Sequence, residues 1–288
     1  MRKFLFSINH YFCGLMRFFR HIFIFAIATF LLSCSEYQKV LNNGSAEKQY
    51  KLATKLYNKQ KYSKAILLFE KLIPSYTGKE EMERIQFMVS QSHYNTKMYS
   101  LSAYYFDKFT KNYPNSFKKE EASFLAAHSN YLASPVFSLD QKLTVEAIDA
   151  FQKFIYTYPS SKRIPECNQI IKELNKKIER KAYEIAYQYY HTKQYKSAIN
   201  AFERFVLEHL GTSFKEDALY FRFLSGYHLA TGSVYVKLED RIAKAVDYQE
   251  RFAKSFPNSK RIPETVKKVN ILKEDLNKIN NKNSNNDS

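Results

Sequence analysis

The stretch Tyr62-Ser63-Lys64-Ala65-Ile66-Leu67-Leu68-Phe69-Glu70-Lys71-Leu72 decides the fold. Its skeleton, Tyr62-x-x-Ala65-x-x-x-Phe69-x-x-Leu72, steps by three and four residues, which keeps every member on one face of a helix. The skeleton returns 37 residues later as Tyr99-x-x-Ser102-x-x-x-Phe106-x-x-Phe109. It returns again as Ala147, Phe151 and Phe154, and as Tyr195, Ala198, Phe202 and Phe205. A weakened copy holds Ala245 and Phe252, with Gln249 where the middle aromatic should stand. Pro114, Pro159 and Pro257 close copies of the helix, because proline cannot continue the backbone ladder. Each of the first four copies follows a helical stretch with a small residue near its middle: Ala53, Ser90, Ala127 or Ala186.

This pattern resembles the tetratricopeptide repeat, a helix-turn-helix unit of about 34 residues that buries its apolar face on its neighbours. The small residue lets paired helices approach, and the aromatic fills the space at the next pair. The resemblance implies an all-α solenoid of about five repeats over residues 47–274. Segments 134–143 and 231–241 lengthen repeats three and five. A second echo, Ser161-Lys162-Arg163-Ile164-Pro165-Glu166, recurs 98 residues on at Ser259-Lys260-Arg261-Ile262-Pro263-Glu264. It reads as two capping turns of shared ancestry rather than a binding motif, with proline in the first turn of the next helix. Residues 275–288, almost all Asn, Lys, Ser and Asp past Asn277, are expected to be a disordered tail.

Composition agrees. The chain of 288 residues has 6 glycines, where average usage of about 7% gives roughly 20. Glycine-rich phosphate loops and hairpin-rich β folds are thereby disfavoured. Scarce glycine also suggests turns made from short polar links and prolines, with few positions at positive φ. Net charge is +17, but 34 lysines against 11 arginines is not the balance of specific nucleic-acid recognition, and no zinc-finger or RNP-type motif is present. No nucleic-acid partner is expected.

Residues 1–33 read as a signal peptide. Arg2, Lys3, Arg17 and Arg20 precede an uncharged run of 11 residues, Ile22 to Leu32. That is too short to span a bilayer comfortably, which takes about 20 residues. The run ends in Leu31-Leu32-Ser33-Cys34, which resembles the lipobox of bacterial lipoprotein precursors; Leu32 is bulkier than the usual occupant. Cleavage there makes Cys34 the acylated first residue, ahead of a linker to residue 46. Cys167 is then the remaining thiol, so no intrachain disulfide can form. Met16 is an alternative start, giving a compact signal. Glu36 is the lone acid near Cys34, which by resemblance to sorting patterns suggests the periplasmic face of the outer membrane.

The third and fourth copies narrow the resemblance. Leu139-Asp140-Gln141, Ala147-Ile148-Asp149-Ala150-Phe151, Tyr158-Pro159-Ser160-Ser161 and the Ala182, Glu184-Ile185-Ala186, Tyr189-Tyr190 series, behind a lipobox, resemble the BamD family of the β-barrel assembly machinery. The resemblance implies a non-enzymatic lipoprotein that binds unfolded outer-membrane proteins through its N-terminal repeats and the BamA barrel insertase through its C-terminal ones. The lost aromatic at Gln249 and the basic tail depart from that pattern. The alternative is another periplasmic tetratricopeptide adaptor, such as a cell-wall or division scaffold. A nutrient-binding helical lipoprotein would be larger and rich in Trp, and Trp is absent.

Residues three before and four after the small positions point alike, seven residues being nearly two helical turns. They are Tyr50 and Tyr57, Phe87 and Tyr94, Phe124 and Tyr131, and Tyr183 and Tyr190. The first six are the candidate substrate-peptide groove, since aromatics dominate interface hot spots; the alternative is that some belong to the core. Residues 151–288 carry net +9 against +4 for residues 34–150. The partner contact is therefore expected in repeats four and five, with Arg222, Arg241 and Arg251 as candidates. Neither H-E-x-x-H nor G-x-S-x-G occurs, and no His pairs with a Cys at zinc spacing. No catalytic residue, metal or cofactor is expected.

Overall fold

A computed structural model describes residues 36–286. The signal segment 1–33 and Cys34 lie outside the described residues. Among the described residues all regular structure is helical: α1 (36–43), α2 (Ala46–Asn58), α3 (Tyr62–Tyr76), α4 (Glu81–Asn95), α5 (Tyr99–Asn112), α6 (Lys119–Ala133), α7 (Lys142–Thr157), α8 (Ile164–His191), α9 (Tyr195–Glu208), α10 (Lys215–Thr231), α11 (Tyr235–Ser255) and α12 (Ile262–Asn286). The fold is an all-α tetratricopeptide-repeat solenoid. It divides into two compact units, one ending at Leu132 and the other beginning at Ala133.

Within the first unit α2 packs on α3 and α4 on α5; within the second α8 packs on α9 and α10 on α11. The repeat skeleton is the core. Phe69, Phe106, Phe151 and Phe202 are fully buried, as are the small residues Ala53, Ser90, Ala127 and Ala186. Where serine replaces alanine its hydroxyl is bonded, as a buried polar group requires. Ser102 Oγ lies 3.2 Å from the Ser90 carbonyl, to which it donates, and 2.9 Å from Ser129 Oγ. Gln249 keeps the position of the missing aromatic. It is buried, and its amide donates to Thr265 Oγ1 at 3.4 Å.

The helix α8 is 28 residues long, because nothing after Pro165 interrupts it. Cys167, Ile170 and Leu174 bury its first half, and Tyr183 and Ala186 its second. The fourth repeat's first helix is thus the end of a longer one, which stretches the Phe151-to-Phe202 spacing. The final helix continues to Asn286, where composition points to disorder from residue 275. Leu272 is buried and Leu276 packs beside it, and no glycine or proline follows to stop the helix.

Two kinds of turn join the helices. Between the helices of a pair, Gln60, Lys97 and Lys193 stand at φ 57, 62 and 60°. The next residue reaches back across the helix end: Lys61 N–H to Leu56 O, Met98 to His93 and Gln194 to Tyr189, each at 2.9 Å. These turns do need positive φ, contrary to the expectation from composition; glycine is scarce because Gln and Lys occupy the left-handed positions.

Between pairs, the chain leaves the helix through a residue at ψ near 65°: Tyr113, Tyr158 and Phe256 ahead of their prolines, and His209 ahead of Leu210, at ψ of 68, 65, 65 and 68°. A hydroxyl then locks the seam. Ser116 donates to Glu83 Oε1 at 2.5 Å, Thr212 to Glu179 Oε2 at 2.8 Å and Ser259 to Glu216 Oε1 at 2.7 Å. The same oxygens accept the N–H two residues on, at Lys118, Phe214 and Arg261; Ser161 likewise accepts from Arg163. The repeated Ser-Lys-Arg-Ile-Pro-Glu is this capping turn.

Candidate functional site

The first unit carries a cleft of about 460 Å³ lined by Tyr57, Phe87, Met88, Phe109 and Phe117, with Glu80, Glu83, Arg84 and Lys118 around it. Two of the expected aromatics, Tyr57 from α2 and Phe87 from α4, meet here. Phe87 stands edge-on to Phe106 and Phe109, with centroids 5.7 and 5.4 Å away, so the cleft floor is continuous with the core. Tyr57 is set edge-on to Tyr62 and Phe69. Burial pushes its hydroxyl pKa up, aided by Tyr62 and Glu121, so it stays a neutral hydrogen-bond donor.

The polar rim is ordered by the seam turn. Lys118 Nζ lies 5.0 Å from the Phe87 ring centre and 5.6 Å from that of Phe117, and bonds Glu121 at 2.7 Å. Glu83 accepts from Ser116. Arg84 is exposed at the rim. Phe117 is 87% exposed although it is one of the largest apolar side chains. It holds the turn position that is Lys162, Ser213 and Lys260 in the other copies. The helix-face reading missed it because it lies on no helix; its signal is an aromatic in a turn otherwise polar.

The other expected groove residues go elsewhere. Tyr50 packs against the first core, its ring 5.6 Å from Tyr76. Phe124 is buried and stacks on His128 at 5.6 Å, so it belongs to the core. Tyr94 and Tyr131 are half-buried around the same histidine: Tyr94 Oη is 2.9 Å from His128 Nδ1, and the Tyr131 ring is 5.5 Å away. In the second unit Tyr183 is buried between Phe214, Phe202 and Phe205, and desolvation pushes its hydroxyl far up. Tyr190 packs against Phe221 and Tyr195.

A family model described as "YfiO: Outer membrane lipoprotein" matches residues 42–186 and 175–282. The chain belongs to the YfiO family. It is a BamD-like tetratricopeptide protein of an outer membrane lipoprotein family, and the two matched stretches overlap inside α8. Among solved structures it is similar to a TPR repeats protein from Bacteroides fragilis, at 15% identity and a TM-score of 0.38, over 79% of this chain and 99% of that one. No curated protein gives a significant match.

The three candidate arginines fall in different surroundings. Arg222 is 4% exposed, with its guanidinium carbon 4.8 Å from the Tyr248 ring centre and no hydrogen-bond partner for Nε. Desolvation lowers its pKa. Beside it Gly226 admits that ring, since a Cβ there would meet Tyr248 Cδ2 at 2.9 Å. Arg222 is therefore a core residue and not a surface contact. Arg241 caps the end of α10, donating to Leu229 O at 3.2 Å and Ser233 Oγ at 2.7 Å. Arg251 is exposed and paired with Asp247 at 2.9 Å. Beside Ser233, the start of α11 and the residue before it expose three consecutive apolar side chains, Val234, Tyr235 and Val236. Among the described residues no group of three His, Cys, Asp or Glu could hold a metal, and no helix is long and apolar enough to cross a membrane.

Proposed function

We propose that this YfiO-family protein is a non-enzymatic factor in the assembly of outer-membrane β-barrel proteins. It is anchored through acylated Cys34 on the periplasmic face, binds unfolded substrate in its first unit and binds a BamA-type insertase through its second. The observation that carries the reading is the cleft that joins Tyr57 and Phe87 to the exposed Phe117, with Arg84 and Lys118 on its rim. An aromatic chain terminus suits it: the ring meets an apolar floor, and the free carboxylate meets cations beside low-dielectric walls. On the second unit, the exposed Val234-Tyr235-Val236 run at the start of α11, with Arg241 behind it, offers an apolar contact at a cationic point, and Arg251 a further exposed charge.

The test is photocrosslinking from position 57 or 117 to a peptide ending in Phe, beside the same peptide amidated at its C-terminus. The reading expects strong labelling that weakens on amidation. Labelling confined to surfaces away from the cleft, or indifferent to the terminal carboxylate, rejects it. Pull-down with the lipidated chain should recover BamA, and a Val236→Asp variant should recover less.

A further inference from the structure

Between Glu47 and Glu70 the chain has six lysines, Lys48, Lys51, Lys55, Lys59, Lys61 and Lys64, and no acid. All six are exposed. Three of them, Lys55, Lys59 and Lys61, surround the α2–α3 turn. The apolar Leu67 is exposed one turn beyond Lys64.

The short helix α1 fixes this turn relative to the chain's start. Tyr37 donates its hydroxyl to the Lys64 carbonyl at 3.1 Å, and Lys64 Nζ lies 5.1 Å from the Tyr37 ring centre. Seven residues after Lys64, Lys71 Nζ donates at 2.9 Å to the carbonyl of Leu41, which is four residues after Tyr37. Gln49 donates to the carbonyls of Val40 and Leu41, both at 3.2 Å. Residues 37 and 41 therefore stand beside residues 64 and 71, so α1 runs alongside α3 in the same direction. Its first residue, Glu36, lies at the end where α3 begins, beside the α2–α3 turn. Cys34 is two residues upstream, a reach of at most about 7 Å.

We infer that the lysine-bearing α2–α3 turn is a docking surface for anionic phospholipid headgroups, which seats the first repeat against the membrane that holds the anchor. The inference rests on the lipid-anchor reading above. Acyl chains fix the chain's start to the bilayer but leave its orientation open. A polybasic surface next to the anchor adds the second, electrostatic signal. Charge complementarity names the occupant: between Glu47 and Glu70 the chain carries six exposed lysines and no carboxylate. These lysines outnumber the carboxylates brought near from elsewhere, Glu36 on α1, Glu80 and Glu83 at the start of α4, and Glu121 on α6. A Debye length of about 8 Å at physiological salt makes the contact short-ranged and salt-sensitive. It therefore forms only where the anchor already holds the turn close.

The test uses the lipidated chain in vesicles of phosphatidylcholine, with or without phosphatidylglycerol, both doped with a nitroxide-headgroup lipid. A fluorophore is placed at Ser63→Cys, or at Ser75→Cys near the other end of α3, about 20 Å away. Labelling is selective, because Cys34 in the anchor reading has its sulfur blocked by the lipid, and Cys167 is buried, with its thiol pushed up to about 11. The expected result is stronger quenching at position 63 in phosphatidylglycerol vesicles and little change at position 75. Most of that excess should be lost in the triple variant Lys55→Gln, Lys59→Gln, Lys61→Gln, and at high salt. Glutamine keeps helix propensity close to that of lysine, so the variant folds. Quenching at 63 that is equal in both vesicles, or unmoved by removing the lysines, overturns the inference while the anchor stands. A chain that does not float with either vesicle overturns the anchor itself, and the inference with it.

Discussion

Gln60, Lys97 and Lys193 sit at φ of 57 to 62°, where a β-carbon crowds the following carbonyl. Glycine at these positions should stabilise the protein. The crowding costs roughly 1–2 kcal/mol per residue. Glycine returns part of that by loosening the unfolded chain, at roughly 0.4–1 kcal/mol. A net gain of about 0.5–1 kcal/mol per site remains. All three side chains are exposed. The turn hydrogen bonds involve only backbone, such as Gln60 N–H to Tyr57 O at 2.8 Å, so substitution removes no contact. The sites lie in separate turns, and their effects should add. The triple variant Gln60→Gly, Lys97→Gly, Lys193→Gly should gain about 2 kcal/mol, or about 4–8 °C in Tm for a chain of this length. The assay is urea unfolding followed by far-ultraviolet circular dichroism, reading a higher midpoint at unchanged slope. The matching triple alanine variant is the control: it loses the same side chains but keeps the β-carbons, and should not gain. A glycine triple no more stable than the alanine triple would refute the reasoning.

Three further outcomes are expected. Ser259→Ala should destabilise the second unit by about 1–2 kcal/mol in urea unfolding, since it removes a hydrogen bond to the Glu216 carboxylate and the cap on Arg261 N–H. Arg222→Met should leave stability unchanged or raise it and keep BamA recovery intact, because it replaces a buried cation with an apolar side chain of similar length. Arg222→Ala should cost about 3 kcal/mol through the cavity beside Tyr248. His93 is buried with neither ring nitrogen hydrogen-bonded, and desolvation lowers its pKa, so it is neutral and its 3.9 Å approach to Glu70 is no ion pair. The unfolded chain then binds the proton more readily than the folded one. The stability His93 allows is full above about pH 6.5 and is lost as pH falls from there toward its folded pKa. His93→Phe should flatten the fall in urea midpoint between neutral pH and about pH 5.

The repeat skeleton was legible because its small and phenylalanine members are packed: Ala65, Phe69, Ser102, Phe106, Phe151 and Phe202 all have their side chains shut away, while the leading tyrosines Tyr62, Tyr99 and Tyr195 are half-buried. The period therefore reports burial directly. The groove was half legible. Spacing of seven identifies side chains on a common stripe but does not say how far that stripe turns into the seam. So Tyr57 and Phe87 meet in a cleft while Phe124, on the same stripe, is core. Arg222 misled for the same reason in reverse. Charge suggests solvent, but its neighbours Leu219, Phe223 and Gly226 place its helix face against Tyr248. Phe117, Gln60 and Lys97 lie in turns, where no period exists and only comparison of one turn with the next exposes an odd residue.

The seams also differ in what covers their aromatic side chains. One seam geometry occurs three times: a hydroxyl on a carboxylate, an aromatic four residues after that carboxylate, and a cover residue two after the hydroxyl. In the second unit Phe214 is the cover, stacked flat on Tyr183 at 5.1 Å, and the aromatic is sealed. At the last seam Arg261 covers Tyr220 at 4.4 Å and is held by Asp217 at 2.6 Å. At the first seam the cover is Lys118, a flexible point charge that reaches past Phe87 to Glu121, and the residue before it is an exposed phenylalanine. Lysine gives up its place over a ring more readily than a stacked phenylalanine or a paired arginine does. The same fold thus covers the aromatic in two of its seams, the last of which keeps a cleft of about 580 Å³ beside Glu216, Asp217, Ser259 and Arg261, and leaves the third with an apolar floor, a movable cation and an aromatic rim.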